Sequence, residues 1–447
     1  MTKPKGLFMR RVSTRTVLAV FICATAISVA KGQEHTARDL GTLPRDTAAD
    51  REKVLYAFNG GKDGFSPFAT LIFDAGANLY GTTYSGGNYQ CDPNFGCGTV
   101  FELQRGAQGE WSKTVLHIFS GKDGAYPNGL IFDAAGNLYG TTLGGGGANG
   151  YGTAFKLAPG LNGRWTETVL HIFNSQNGGL PNGSLILDMA GDLYGTTQTG
   201  GTYGYGTVFK LAPGVNGKWT ETVLHSFDGK DGNQPASALI FDSLGNLYGT
   251  TEAGGNRSYF FGYGGGTVFK LAPGTDGKWT YSLLFSFSLN DGEHPASSLV
   301  LDTAGNLYGT TVRGGDLSSF LCLDYGCGTV FRLVPGENGS WTEEVLHKFN
   351  GVDGFAPYAA VIFDAAGNLY GTTWDGGNVF ELTPGTNGEW TETVLHTFNG
   401  SDGLSPQAGL VFDASGNLYG ATDYGGKVNS CYSQYGDGCG VVFEILR

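Results

Sequence analysis

Three features of the sequence predict an all-β fold, a seven-bladed β-propeller with four antiparallel strands per blade. First, the tetrapeptide Leu-Tyr-Gly-Thr begins at Leu79, Leu138, Leu193, Leu247, Leu307 and Leu369, with Leu-Tyr-Gly-Ala at Leu418. The copies lie roughly 50 to 60 residues apart, the spacing of a repeated supersecondary unit that cannot bury its apolar face alone. Second, no stretch after residue 32 sustains a 3.6-residue apolar period, while 77 Gly and 13% aromatic residues make a turn-rich β composition. Third, the ends carry complementary parts of the repeat. Val54–Phe58 reads as a fourth strand ahead of any complete copy, and the last copy stops after its third strand, at 441–446. Pairing the two closes the ring and removes the open sheet edges.

The third copy serves as template for the elements. Gly183–Asp188 is a short apolar run, followed by a turn at 189–192 and a strand over Leu193–Thr197. A Gly-rich loop leads to Gly206–Leu211, and a Pro-Gly turn at 213–217 leads to Trp219–Phe227. Each run is of strand length, rich in β-branched and aromatic residues, and bounded by Gly, Asn, Asp or Pro. The turn aspartates (Asp74, Asp133, Asp188, Asp242, Asp302, Asp364, Asp413) are expected to bond backbone amides of their own hairpins.

The pattern Asp-x-x-Gly-Asn-Leu-Tyr-Gly-Thr-Thr, then Gly-Gly, Gly-Thr-Val-Phe and Val-Leu-His-x-Phe, resembles the Gloeobacter–Verrucomicrobia (GloVer) tandem repeat of exported bacterial proteins. The resemblance covers nearly all of residues 53–447; a looser one links the repeat to NHL and sensor-regulator propellers. It implies an exported β-propeller and brings no established activity or catalytic residues.

Residues 1–32 have the anatomy of a secretory signal peptide. Lys3, Lys5, Arg10, Arg11 and Arg15 precede an apolar run from Val17 to Ala30, which ends in the small-x-small triplet Ser28-Val29-Ala30. Residues 33–52 read as a linker, and no membrane span is expected in the mature chain. Removing six basic and no acidic residues with the leader takes the formal charge from −13 to −19. So acidic a surface disfavours nucleic acid and anionic membranes as partners; cations, neutral glycans or basic proteins suit it better. A monomer is expected. Cys97, Cys327 and Cys439 each precede a third strand and have companions at Cys91, Cys322 and Cys431, which reads as three local disulfides in an exported chain.

Candidates for chemistry divide between repeat and loop. His117, His171, His225, His347 and His396 share one strand position with Tyr56 and Phe285, so they read as packing residues. No Gly-x-Ser-x-Gly or His-Glu-x-x-His occurs; His294, beside Glu293, is the one singleton, and no catalytic residue is assigned. The loop after strand four carries Asp63, Asp123, Asp231, Asp291, Asp353 and Asp402, with Asn177 in the remaining copy. Each is a turn residue by its Asp-Gly or Asn-Gly dipeptide, or together they form an acidic crown for Ca²⁺, the one cofactor considered. The loop after strand two varies most. It carries Tyr84, Tyr89, Phe95, the cluster Tyr259, Phe260, Phe261 and Tyr263, then Phe320, Trp374, Tyr424, Tyr432 and Tyr435. Aromatics on stapled loops suit a glycan or protein ligand, or pack on one another over the rim. The expected function is a binding module; the alternative is an extracytoplasmic carbohydrate- or lactone-active enzyme using rim carboxylates.

Overall fold

The computed structural model describes residues 51–147, 149–255, 264–426, 431–433 and 436–447. The predicted signal peptide and nearly all of the predicted linker lie outside them. Seven sheets of four antiparallel strands form the ring. The third runs Ile186–Leu187, Leu193–Thr197, Thr207–Pro213 and Trp219–Ser226, in sequence order from the inner to the outer strand. The last sheet is completed by the other end of the chain. Glu52–Ala57 pairs antiparallel with Val441–Ile445, with Glu52 opposite Ile445 and a bulge between Val54 and Tyr56. The closing strand thus begins two residues before the expected Val54 and ends one before Phe58.

The repeat explains itself residue by residue. In Leu-Tyr-Gly-Thr, the Leu is fully buried, and a Cβ on Gly195 would lie 2.7 Å from the Phe209 ring and 3.0 Å from Leu185. Tyr194 donates its hydroxyl to Asp188 Oδ2 (3.0 Å), while Asp188 Oδ1 accepts the backbone N–H groups of Ala190 and Asp192, both at 2.9 Å. The expected turn role of these aspartates is therefore observed, with the strand-two Tyr added. The Thr hydroxyl fastens blades: Thr196 donates to the Ser237 carbonyl (2.9 Å) and Thr250 to that of Ser297 (3.0 Å), each in the next blade. Ala421 lacks that hydroxyl, and at its junction Gly409 N–H is held by Thr70 Oγ1 instead (3.1 Å).

The core lies between blades. Tyr194, Val208 and Phe227 of one blade pack against Leu239, Leu247, Phe269 and Leu271 of the next. Trp279, heading the next outer strand, meets Tyr194 edge-on at 6.1 Å. The inner strand differs from expectation: it spans two residues in six blades, against Ala125–Phe132 in one. The residues before it, such as Gly183 and Ser237, turn their carbonyls sideways to the neighbouring Thr and so leave the ladder.

Candidate functional site at the inner upper rim

The loops after strands two and four share one face of the ring. On the strand-four side, the predicted crown is divided among blade junctions. Asp123 Oδ1 accepts the Ser120 backbone N–H and hydroxyl (2.8 Å each), and Oδ2 lies 3.0 Å from His117 Nε2. Burial opposes ionisation of Asp123, but the bonds from His117 and Ser120 hold its carboxyl below the usual range. Asp231 and Asp353 repeat the arrangement, at 2.8 and 3.1 Å from His225 and His347. Asp402 lies 3.2 Å from His396, Asp291 is bonded by Ser288, and Asp63 meets Lys113 at 2.8 Å. Facing these junctions from the next blade stand Glu167, Glu221, Glu343 and Glu392, each pushed up to about 7 by burial.

Further in, one residue per blade is held at positive φ directly before a Pro: Ser66, Tyr126, Leu180, Gln234, His294, Ala356 and Ser405, with φ between 55° and 61°. Non-glycine residues pay for that conformation, and such strain concentrates at functional sites. Here it is pinned from both sides. The N–H of Tyr126 donates to the Cys97 carbonyl (2.9 Å) and that of Ala356 to the Cys327 carbonyl (2.9 Å), both in the preceding blade. The carbonyl of Ala356 accepts the Trp374 N–H (3.1 Å), and that of Gln234 accepts the Glu252 N–H (3.1 Å).

The residues bonded in this way follow the Thr-Thr or Ala-Thr of strand two: Tyr84, Gln198, Glu252, Val312, Trp374 and Asp423, with Leu143 at the same position of the second blade. Seven equivalent backbone positions thus carry seven different side chains on one inner belt. The sequence reading took Tyr84 and Trp374 from this belt but missed the belt itself. Its signal was a pair of columns, one before each Pro and one after each strand two, that vary between fixed neighbours.

Over the last, first and second blades the belt is aromatic and acidic. Tyr84 stacks on Tyr126 (centroids 4.7 Å apart, planes 20°) and meets Phe68 edge-on at 5.2 Å. Tyr126 donates to Asp92 Oδ2 (2.8 Å). Burial pushes the Asp423 carboxyl up to about 6, against the lowering effect of bonds from Ser66 and Tyr424. Across the ring, burial pushes Glu252 up to about 7, and burial with the nearby Arg313 charge lowers His294 to about 4. In the sixth blade the loop after strand two is only residues 374–377, the shortest of the seven. A cavity of about 350 Å³ opens there, lined by Trp374, Asp375, Gly376, Gly377, Phe398, Leu404 and Ser405. Trp374 is half-buried, with its Nε1 closed off from solvent and without a hydrogen-bond partner.

The other predicted aromatics lie further out. Tyr89, Phe95 and Phe320 are exposed, the last by 85%, and Tyr424 is half-buried beside Leu404. Tyr432 stands in a two-residue strand paired with Gly436–Asp437. Tyr259, Phe260, Phe261, Tyr263 and Tyr435 lie outside the described residues. All three predicted disulfides form, Cys91–Cys97, Cys322–Cys327 and Cys431–Cys439, with Cα separations of 6.0, 5.0 and 5.1 Å. Among the described residues no helix is long and apolar enough to cross a membrane.

A closed ring of sequence-repeating blades with an individualised inner rim defines a β-propeller repeat protein. The Gloeobacter/Verrucomicrobia repeat matches residues 31–159, 93–323 and 322–447, and the chain belongs to that family. No curated protein matches it. Among solved structures, it is similar to virginiamycin B lyase from Staphylococcus aureus, at 13% identity and TM-score 0.52, covering 89% of this chain and all of that one. It is also similar to a fungal alcohol oxidase of the AA5 family, at 16% identity and TM-score 0.54, covering 89% of this chain and 77% of that one. At these identities the likeness is one of fold.

Proposed function

We propose that the protein is an exported binding module that holds a glycan or protein ligand on its inner upper rim. One observation carries the reading: the belt after strand two faces a pre-proline residue of positive φ in every blade and changes its side chain in every blade. A scaffold that fixes main chain and varies side chains at one surface is how binding sites are built on repeats. The Trp374 cavity is the anchor point, since it sets an aromatic side chain beside an open space of about 350 Å³ at the gap left by the short loop. Local disulfides and the leader-like residues 1–32 support export.

Screening the chain against a glycan array, with parallel pull-down from culture medium, tests this. Trp374→Ala is expected to weaken the selected ligand by about 10-fold or more, the loss of a buried aromatic anchor, at unchanged folding. Full retention of affinity in that variant would remove Trp374 from the site.

A second reading rests on Glu252 and Asp423, whose carboxyls are raised to about 7 and about 6 at the same belt. Carboxyls poised near neutrality suit general acid–base work on a carbohydrate or lactone. Turnover of such a substrate, abolished in Glu252→Gln or Asp423→Asn, would establish it; ligand binding without turnover would dismiss it.

A further inference from the structure

We propose that Glu52, His396 and Asp402 form a site for a divalent cation of the zinc type, which fastens the ring-closing strand to the preceding blade. Glu52 belongs to that closing strand, while His396 and Asp402 come from the outer strand of the sixth blade and the loop after it. One donor atom from each lies within 4.8 Å of the others, and among the described residues no other trio of His, Cys, Asp and Glu does so. Glu52 Oε1 and His396 Nε2 are both buried with no hydrogen-bond partner. His396 Nε2 stands 3.2 Å from Asp402 Oδ2 but is not aligned to bond it. Asp402 itself is held in place by Asn399, whose N–H reaches Oδ1 and whose amide reaches Oδ2, both at 2.9 Å.

The neighbouring junction shows that a cation fits at this point of the repeat. There Tyr56, Asp63 and Lys113 occupy the positions of His396, Asp402 and Glu52. Lys113 Nζ sits 2.8 Å from Asp63 Oδ1, its side chain 2% exposed and its ammonium 4.6 Å from the Phe58 ring centre. With Glu52 in place of Lys, the sixth junction keeps the anionic cradle, gains a second carboxylate, and has no ammonium. At the other junctions Glu167, Glu221, Glu343 and Glu392 also keep a buried, unbonded Oε1, but none of them faces an unbonded imidazole nitrogen, and Phe285 supplies no nitrogen at all. His117 and His347 bond their aspartates, Asn177 bonds Glu221, and Tyr281 stacks on His225 at 4.4 Å.

One imidazole nitrogen and two carboxylate oxygens match the donor preferences of Zn²⁺ better than those of Ca²⁺. Bonds of about 2.0–2.2 Å to one ion would draw the three donors closer than this spacing, with a fourth position left for water. Binding at the closing strand would stabilise the whole ring, because only the closed state brings the donors together.

Titrating the chelator-treated full chain with ZnCl₂, by calorimetry and by thermal unfolding, tests the site. One ion per chain and a higher Tm are expected. The repeat supplies its own fold-compatible substitutions, Phe as at Phe285 and Asn as at Asn177. His396→Phe and Asp402→Asn should each abolish the binding and the Tm shift while circular dichroism stays unchanged, and His347→Phe should retain both. If folded protein takes up no zinc, or if uptake survives in His396→Phe and Asp402→Asn, the proposal is overturned. Should either variant unfold, Glu52→Gln decides between the same two outcomes.

Discussion

At Gly195 the chain has no room for even one carbon, because Phe209 and Leu185 already occupy the space. Gly195→Ala is expected to destabilise the protein by about 1–3 kcal/mol, the usual toll of overpacking a core, measured as a lower urea midpoint at constant m. The same residue scale shows what sequence could and could not reveal. Asp188 was legible because its partners are its own turn amides, two and four residues on. The belt of Tyr84, Glu252 and Asp423 was not. What defines it is the positive φ at Ser66, Gln234 and Ser405, and backbone strain leaves no mark in residue type except the Pro that follows. The histidine column was half legible. His117 does pack edge-on against Phe119 at 4.7 Å, but it also bonds Asp123, which spacing alone could not pair with it.

Strands and loops answer to different controls. The five residues of the Leu-Tyr-Gly motif are buried in every strand two, so their pattern is set by packing and repeats closely. The outer strands alternate between exposed and half-buried positions, which let the period-2 pattern be read directly. The inner strands are over-extended in the sequence reading because apolarity marks Gly183–Asp188, whereas hydrogen bonding to the preceding blade shortens the pairing to Ile186–Leu187. The stapled loops act on the rim at a distance, since the carbonyls of Cys97, Cys327 and Cys439 hold Tyr126, Ala356 and Ser66 of the following blade. Removing the closing strand is the decisive element-scale change. Deletion of residues 53–58 strips Val441–Ile445 of its outer partner, leaving only Leu418–Thr422 beside it, and is expected to lower Tm and produce aggregates on size-exclusion chromatography. An unchanged Tm would refute closure by the ends.

The molecule as a whole carries its titratable groups at the seams between blades. Glu167, Glu221, Glu343 and Glu392 are raised from 4.5 to about 7, mainly by burial. A folded pKa above the unfolded one contributes stability at low pH that is lost as pH rises through the folded value. His171 is lowered by burial and His294 is lowered to about 4, so they act oppositely and lose stability as pH falls below 6.5. The glutamates outnumber these histidines. Tm is therefore expected to be higher near about pH 5 than near about pH 8, with the difference reduced in Glu167→Gln. A flat profile in differential scanning calorimetry would contradict the burial of these carboxyls.

The pairing of Glu52 with Ile445 joins nearly the first and the last described residues of the chain. During synthesis the opening strand must therefore wait, its edge unanswered, until almost everything else has been made. Six sheets can assemble from consecutive segments as they emerge, while the seventh depends on the latest arrival. Until then the nascent protein is a curved arc with both ends unfinished, and the final step is a search by one terminus for the other across the finished remainder.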